Sequence, residues 1–149
     1  MKGAWASIFR SVSHMLAAVF NSRSAFQDQW RRYERLENRP HGISGRWIGE
    51  WRSDLSGHHG ELKCVLTPVS SERWRAYFFA RYSRLFRVGY VTDLKTKSAD
   101  GHTQLEAEED LGTLAGGVYR CEGEATATEF NCKYSCKYDR GVFLLKRLD

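Results

Sequence analysis

The sequence predicts an all-β domain, an eight-stranded antiparallel up-and-down barrel, behind an amphipathic helical segment at the N-terminus. After about residue 45 the hydrophobic period changes from 3.6 residues to 2, which is typical of strands buried on one face. Eight runs with strand character follow, and the connections between them are short and turn-like, as hairpins require. Successive antiparallel strands must hide their edges, so we expect them to close into a barrel, with a sandwich as the alternative.

Length and composition indicate one folded, soluble domain. The chain has 149 residues, of which 42% are hydrophobic and 28% charged, and it contains only 2 prolines. This composition excludes a disordered chain. No stretch approaches the roughly 20 apolar residues that a membrane-spanning helix needs. We therefore expect a single hydrophobic core.

The positive charge is concentrated near the N-terminus. The net charge is +5, and residues 1–40 carry seven basic and three acidic residues, so that the remaining chain is nearly neutral. Nucleic-acid binding needs a clustered basic footprint, which a nearly neutral barrel does not supply. We therefore expect no nucleic-acid partner, and we place any anionic partner at the N-terminal segment.

The first 27 residues contain no acidic side chain, and their apolar positions fall on one face of a helix. At 100° per residue that face spans an arc of about 140°. Its members are Trp5, Ile8, Phe9, Val12, Met15, Leu16, Val19 and Phe20. Residues 1–27 therefore suit an anionic membrane surface or a targeting role, with a helix docked on the barrel or a disordered leader as alternatives. We expect a cytoplasmic protein, with peripheral membrane association as an alternative and secretion left open.

A second helix is predicted from Ala25 to Glu37. Ser24 can cap it, and aromatic residues recur at helical spacing, at Phe26, Trp30 and Tyr33. The helix ends before Pro40, and Asn38–Ser44 is interpreted as a linker. The predicted organisation is thus a basic helical leader and linker over residues 1–44 and a barrel domain over residues 45–149.

The eight predicted strands are Arg46–Ser53, Glu61–Thr67, Trp74–Tyr82, Arg87–Thr96, His102–Leu111, Val118–Thr126, Glu129–Tyr138 and Val142–Leu148. The clearest alternation is in the seventh strand, where apolar residues and cysteines alternate with polar ones from Phe130 to Tyr138. One face of this strand is expected in the core and the other in water.

The first and last strands carry a resemblance to a known family. The first strand opens Gly45-Arg46-Trp47-Ile48-Gly49-Glu50-Trp51, and the last contains Phe143-Leu144-Leu145-Lys146-Arg147. This resembles the lipocalin and calycin superfamily, in which a Gly-x-Trp opens the barrel and a basic residue of the last strand lies across the indole. The resemblance implies that Trp47 and Arg147 seal one end of the barrel. The doubled GxWxGxW pattern, with Gly57-His58-His59-Gly60 and a later GVYRCEG, also resembles a bacterial family of unassigned function.

Large side chains dominate the positions that are predicted to face inward. They are Trp47, Trp51, Leu62, Leu66, Trp74, Phe78, Tyr82, Tyr90, Tyr119, Phe130, Tyr134 and Tyr138. Side chains roughly fill an eight-stranded barrel, so any pocket is expected to be small and to lie at one open end. We expect a non-enzymatic protein that binds a small apolar or aromatic ligand on a wall of Trp51, Tyr82, Tyr119 and Tyr134. The alternative is a membrane-peripheral structural or interaction barrel with a filled interior.

Catalytic and metal-binding patterns are weak in this sequence. His58 and His59 lie near Asp54 and Glu50, which is chemistry that could bind a metal, but the spacing fits no known metal pattern. We interpret this stretch as a polar loop, keep an enzyme that uses the His58/His59 loop as the least favoured function, and expect no cofactor.

The four cysteines and one glutamate complete the set of candidates. Cys64, Cys132 and Cys136 alternate with apolar neighbours and are expected to be buried thiols. If a hairpin turns at Thr126 and Ala127, Cys121 lies opposite Cys132, where a disulfide is an alternative to free thiols. Glu109 shares the apolar face of its strand, so it is expected inside the barrel or at its rim, where it needs a partner such as Arg81 or Tyr82.

Overall fold

The computed structural model describes residues 22–38, 41–82, 84, 85, 87–110 and 117–149. Within these ranges one helix, α1 (residues 22–34), precedes eight antiparallel strands. The strands are β1 (Gly45–Ser53), β2 (His59–Ser70), β3 (Arg73–Arg81), β4 (Arg87–Ala99), β5 (His102–Asp110), β6 (Val118–Ala125), β7 (Glu129–Ser135) and β8 (Arg140–Arg147). Each strand pairs with the next and β8 pairs with β1, so the sheet closes into the predicted up-and-down barrel.

The predicted strands agree with the observed ones except near some ends. β2 continues to Ser70 and includes Pro68, where a shift in register marks a bulge. β7 ends at Ser135, three residues before its predicted end, because the Cys136 N–H donates to the Asp139 carbonyl and closes a turn. Tyr138 therefore lies in that turn with 58% of its surface exposed, and its predicted inward position was wrong.

A continuous column of rings fills the barrel. Trp47 and Phe130 are completely buried, with ring centroids 6.0 Å apart. Phe130 contacts Phe78 at 6.2 Å, and Phe78 contacts Phe143 at 5.4 Å. Leucines pack around the column with almost no exposure, at Leu62, Leu66, Leu94, Leu105 and Leu145. The interior is therefore filled by side chains, as expected for eight strands.

The two ends of the barrel differ in their connections. At the end where β1 begins and β8 ends, which we call the closed end, the turns occupy residues 71–72, 100–101 and 126–128. At the opposite end, which we call the open end, the connections span residues 54–58, 82–86, 111–117 and 136–139.

Trp47 and Arg147 lie together at the closed end. They are register partners on β1 and β8, and the guanidinium carbon of Arg147 lies 5.3 Å from the centroid of the Trp47 ring. The Trp47 indole N–H donates to the carbonyl of Ile43 at 3.2 Å. Arg147 donates to the Gly42 carbonyl at 2.7 Å and also to the Ser44 carbonyl. The end of the predicted linker therefore packs across the barrel, with Ile43 and Ser44 buried.

Helix α1 packs on the outer wall of the barrel. Phe26 is 4% exposed and stacks on Phe79, an outward residue of β3, with centroids 5.0 Å apart. Gly89 makes the close approach possible, because a β-carbon there would lie 2.7 Å from the backbone nitrogen of Arg23. Val65 is completely buried although its neighbours Cys64 and Leu66 occupy the inward face. The second predicted helix is thus present, shifted three residues toward the N-terminus.

The predicted membrane-binding face, Trp5 to Phe20, lies outside the described residues. No helix among the residues that the structure describes is long and apolar enough to cross a bilayer.

Candidate ligand site at the open end

Four strands bring the predicted ligand wall to the open end of the barrel. Trp51 lies near the end of β1, Tyr82 follows β3, Tyr119 lies near the start of β6 and Tyr134 near the end of β7. These residues form two contacting pairs: the Trp51 and Tyr82 rings are 4.5 Å apart, and the Tyr119 and Tyr134 rings are stacked at 6.2 Å. Trp51 and Tyr134 are buried, whereas Tyr82 is 54% exposed.

Two further rings belong to this wall. Tyr90 packs edge-on against Tyr119 at 5.7 Å, and Phe143 stacks on Tyr134 at 4.9 Å. The sequence placed Tyr90 inside but not on the wall, and it left Phe143 out of the inward set. The signal for Phe143 was available, because it is two residues before Leu145 and therefore on the same face of β8.

Glu109 faces inward at the open end and accepts a hydrogen bond from the Tyr90 hydroxyl at 2.8 Å. Its cross-strand partner is Tyr119. Arg81, one of the two partners predicted for Glu109, was wrong, because it lies on the outward face of β3. Its backbone carbonyl accepts the Trp51 indole N–H at 3.1 Å. The alternation of β5 predicted the inward position of Glu109, but its partner comes from β4 and depends on how the strands pair.

Asp139 provides a second carboxylate at this end. It accepts hydrogen bonds from the Ser53 hydroxyl at 2.6 Å, the Arg140 N–H at 2.8 Å and the Tyr134 hydroxyl at 3.0 Å. Asp139 therefore fixes the turn between β7 and β8 and holds Tyr134 in place. Sequence reasoning did not identify it, because a turn aspartate gives no signal of what its side chain contacts across the barrel.

The tyrosine hydroxyls of the open end are neutral donors. Burial raises the pKa of Tyr90 and of Tyr119 well above the ordinary value for tyrosine. For Tyr134, burial and the hydrogen bond to Asp139 act in the same direction. The three hydroxyls are therefore protonated at neutral pH, and those of Tyr90 and Tyr134 donate to carboxylates.

Two concavities lie elsewhere on the molecule. A concavity of about 370 Å³ at the closed end is lined by Ile43, Asp100 and His102 among others. Another, of about 690 Å³, lies on the outer wall of β4–β8, mainly against outward side chains such as Lys95, Glu106 and Lys133. Neither of these two is lined by Trp51, Tyr82, Tyr119 or Tyr134.

The loop that carries His58 and His59 is an exposed turn. His58 and His59 are exposed, and the backbone around them forms a tight turn in which the Ser53 N–H donates to the His58 carbonyl at 2.8 Å. Across the part of the chain that the structure describes, no three histidine, cysteine or acidic side chains are arranged to bind a metal ion.

Two buried cysteines are in close contact inside the barrel. The Thr126 N–H donates to the Glu129 carbonyl, so the hairpin turns at Ala127 and Thr128, one residue later than predicted, and Cys121 opposes Tyr134 and not Cys132, which corrects the predicted register. Cys121 and Cys132 are diagonal neighbours whose sulfur atoms lie 2.6 Å apart, and both are free thiols. The hydrogen bond between the two sulfur atoms, together with burial, raises the pKa of Cys132, and burial raises that of Cys64.

Comparison of the chain with protein-family models, with curated proteins and with solved structures finds no match.

Proposed function

We propose that this protein is a non-enzymatic, lipocalin-like barrel that binds a small apolar or aromatic ligand at its open end. The observation that carries the proposal is the contrast between the two ends. The closed end is covered by Trp47, Arg147 and the backbone of residues 42–44. At the open end the ring column terminates in aromatic side chains with polar groups between them.

The closed end also supports the lipocalin-like part of the proposal. Gly45 has a φ of 129°, which favours glycine, so the Gly-x-Trp pattern has a backbone reason here. The cation over the Trp47 indole is the arrangement that the superfamily resemblance implies. We also propose that the protein is related to the bacterial GxWxGxW family and that it is cytoplasmic.

A ligand at the open end would contact Tyr82 first, because this ring is more than half exposed and rests on Trp51. Aromatic rings offer apolar faces, and the tyrosine hydroxyls give such a surface a few directional anchors. Glu109 and Asp139 accept hydrogen bonds from Tyr90 and Tyr134. These bonds fix the two hydroxyl groups, and fixed polar groups orient a ligand.

A fluorescence titration tests this function. We expect N-phenyl-1-naphthylamine to bind the full chain and to quench tryptophan emission, and Tyr134→Ala to change the affinity while the barrel stays folded by circular dichroism. Tyr33→Ala, on helix α1 outside the barrel, is the matched control and should bind like the wild type. If the wild type binds no probe and Tyr134→Ala loses about 3 to 5 kcal/mol of stability, as a core truncation does, the ligand function is wrong.

A second candidate is a membrane-peripheral or interaction barrel, and the filled interior favours it. Five of the eight large apolar side chains that are exposed among the described residues lie at the open end: Leu55, Tyr82, Leu85, Val118 and Tyr138. Arg81, Arg84 and Arg87 flank Leu85, which is 97% exposed. Basic and apolar side chains together suit an anionic lipid surface. Salt-sensitive binding to phosphatidylglycerol vesicles that Leu85→Asp abolishes would support this candidate.

A further inference from the structure

Charged side chains at the open end are separated by sign. Glu109 follows the inward face of β5, and Asp139 bonds to the inward residues Ser53 and Tyr134. The basic residues at the same level alternate with inward ones: Arg81 follows Ala80, Arg87 precedes Val88, and Arg140 precedes the buried Gly141. All three arginines are exposed. The carboxylates of Glu109 and Asp139 are therefore directed inward, whereas Arg84 and Lys137, in the connections at this end, are exposed.

Glu109 has capacity for a further partner. A carboxylate accepts about four hydrogen bonds through its two oxygens, and the Tyr90 hydroxyl occupies one position on one oxygen. Among the described residues, no lysine, arginine or histidine forms an ion pair with Glu109. Asp139 differs, because three donors already surround it. Glu109 is thus the carboxylate at which a cation would be most favoured.

The rings around Glu109 present the other half of a cation site. Tyr90 holds the carboxylate, Tyr119 is its cross-strand partner, and Tyr134 and Phe143 continue the cluster. The face of an aromatic ring carries negative charge density and attracts ammonium groups, and rings grouped together recognise substituted ammonium ions. A carboxylate beside such rings adds a charge-assisted hydrogen bond for any ammonium that retains a proton.

We infer that the ligand of the open end is a cationic amine with an aromatic or apolar body, and that Glu109 is its anchor. This inference rests on the proposed function. An anionic ligand would meet the carboxylates of Glu109 and Asp139, and none of the basic strand residues described at this end faces inward to offset them. A neutral aromatic ligand would use the rings and leave the Glu109 carboxylate without a cation.

Three probes of similar size separate these cases in calorimetric titrations of the full chain: 2-phenylethylamine, 2-phenylethanol and phenylacetate. We expect the amine to bind at least about tenfold more tightly than the alcohol, a difference of about 1.4 kcal/mol, and phenylacetate to bind most weakly. Glu109→Gln should bring the amine to the level of the alcohol while the alcohol binds as before. Glu108→Gln is the matched control, because Glu108 faces outward on the same strand and pairs with Arg120 at 2.9 Å.

The failures of the two proposals are distinguishable. Equal binding of amine and alcohol by the wild type, or tighter binding of phenylacetate, would overturn the inference and leave the ligand function intact. Binding of N-phenyl-1-naphthylamine without binding of the amine would do the same. If the wild type binds none of the four compounds, the ligand function and the inference both fall. The comparison of the probes on the wild type needs no variant, so it tests the inference even if Glu109→Gln folds poorly.

Discussion

The guanidinium carbon of Arg147 lies 5.3 Å from the centroid of the Trp47 ring, at the closed end of the barrel and directly across the β1 and β8 register. The same side chain donates to the carbonyls of Gly42 and Ser44. One residue thus combines three tasks: it joins the first and last strands, covers the central indole, and fixes the segment that enters the barrel.

Loss of this cation should destabilise the barrel. Arg147→Met keeps the apolar stem but removes the charge and the hydrogen bonds to the carbonyls of Gly42, Ser44 and Ala127, so we expect a loss of about 1 to 3 kcal/mol in the free energy of unfolding. Urea denaturation followed by tryptophan emission measures it. Arg140→Met, at the exposed start of the same strand, is the control and should change stability by less than about 0.5 kcal/mol. Equal effects of the two substitutions would show that the closed-end contact is not stabilising.

Docking of helix α1 should depend on Phe26. Phe26→Ala removes a buried ring that stacks on Phe79, so we expect a loss of about 3 kcal/mol in the free energy of unfolding. Hydrogen exchange should show faster exchange in residues 22–34 and little change in the strands. Arg31→Ala, on the exposed face of the helix, should leave exchange as in the wild type. Unchanged protection of α1 in Phe26→Ala would contradict the docking described above.

The strands of the fold could be predicted from local sequence patterns, whereas several side-chain contacts could not. Period-2 alternation and turn residues predict all eight strands, because these signals reside within each strand. The register of Cys121 against Tyr134 depends on the position of the turn, because moving the turn by one residue moves every partner by two. The stacking of Phe26 on Phe79 depends on α1 packing against an outer wall, which no single strand reveals. The contact between Glu109 and Tyr90 depends on which side chains meet inside the closed barrel.

The close contact of Cys121 and Cys132 predicts a disulfide under oxidising conditions. With glutathione disulfide as oxidant, two thiols lose two protons and two electrons, and the oxidant is reduced to two glutathione thiols. Sulfur atoms 2.6 Å apart need little movement to reach bonding distance. Peptide mapping by mass spectrometry should find the two cysteines joined, with a gain in stability of about 3 kcal/mol.

Variants at single cysteines control this result. Cys64→Ser should still form the bond, whereas Cys132→Ser should not. Since the thiols are buried, mild urea should accelerate the reaction. A bond between Cys121 and Cys64 or Cys136 would show that the contact does not direct oxidation.

The ion pairs of Asp93 should make stability depend on acid pH. Hydrogen bonds from Arg75 and Arg73 hold the pKa of Asp93 below its ordinary value, despite some opposing burial. A depressed pKa stabilises the fold above the unfolded value of about 4, and this contribution is lost as pH falls through the folded pKa. Asp93→Asn should therefore lose up to about 1 kcal/mol at pH 7, because both arginines are largely exposed. Urea midpoints of the two proteins should converge below about pH 3; a constant difference would contradict this assignment.

The proposed function requires a ligand at the open end, and two indole N–H groups report on its binding directly. Trp51 donates to the Arg81 carbonyl at the open end, and Trp47 donates to the Ile43 carbonyl at the closed end. In ¹H–¹⁵N NMR spectra, titration with N-phenyl-1-naphthylamine or 2-phenylethylamine should shift the Trp51 indole resonance progressively and leave that of Trp47 in place. Shifts at Trp47 alone, or no shift at Trp51 at saturating concentrations of both compounds, would contradict the claim.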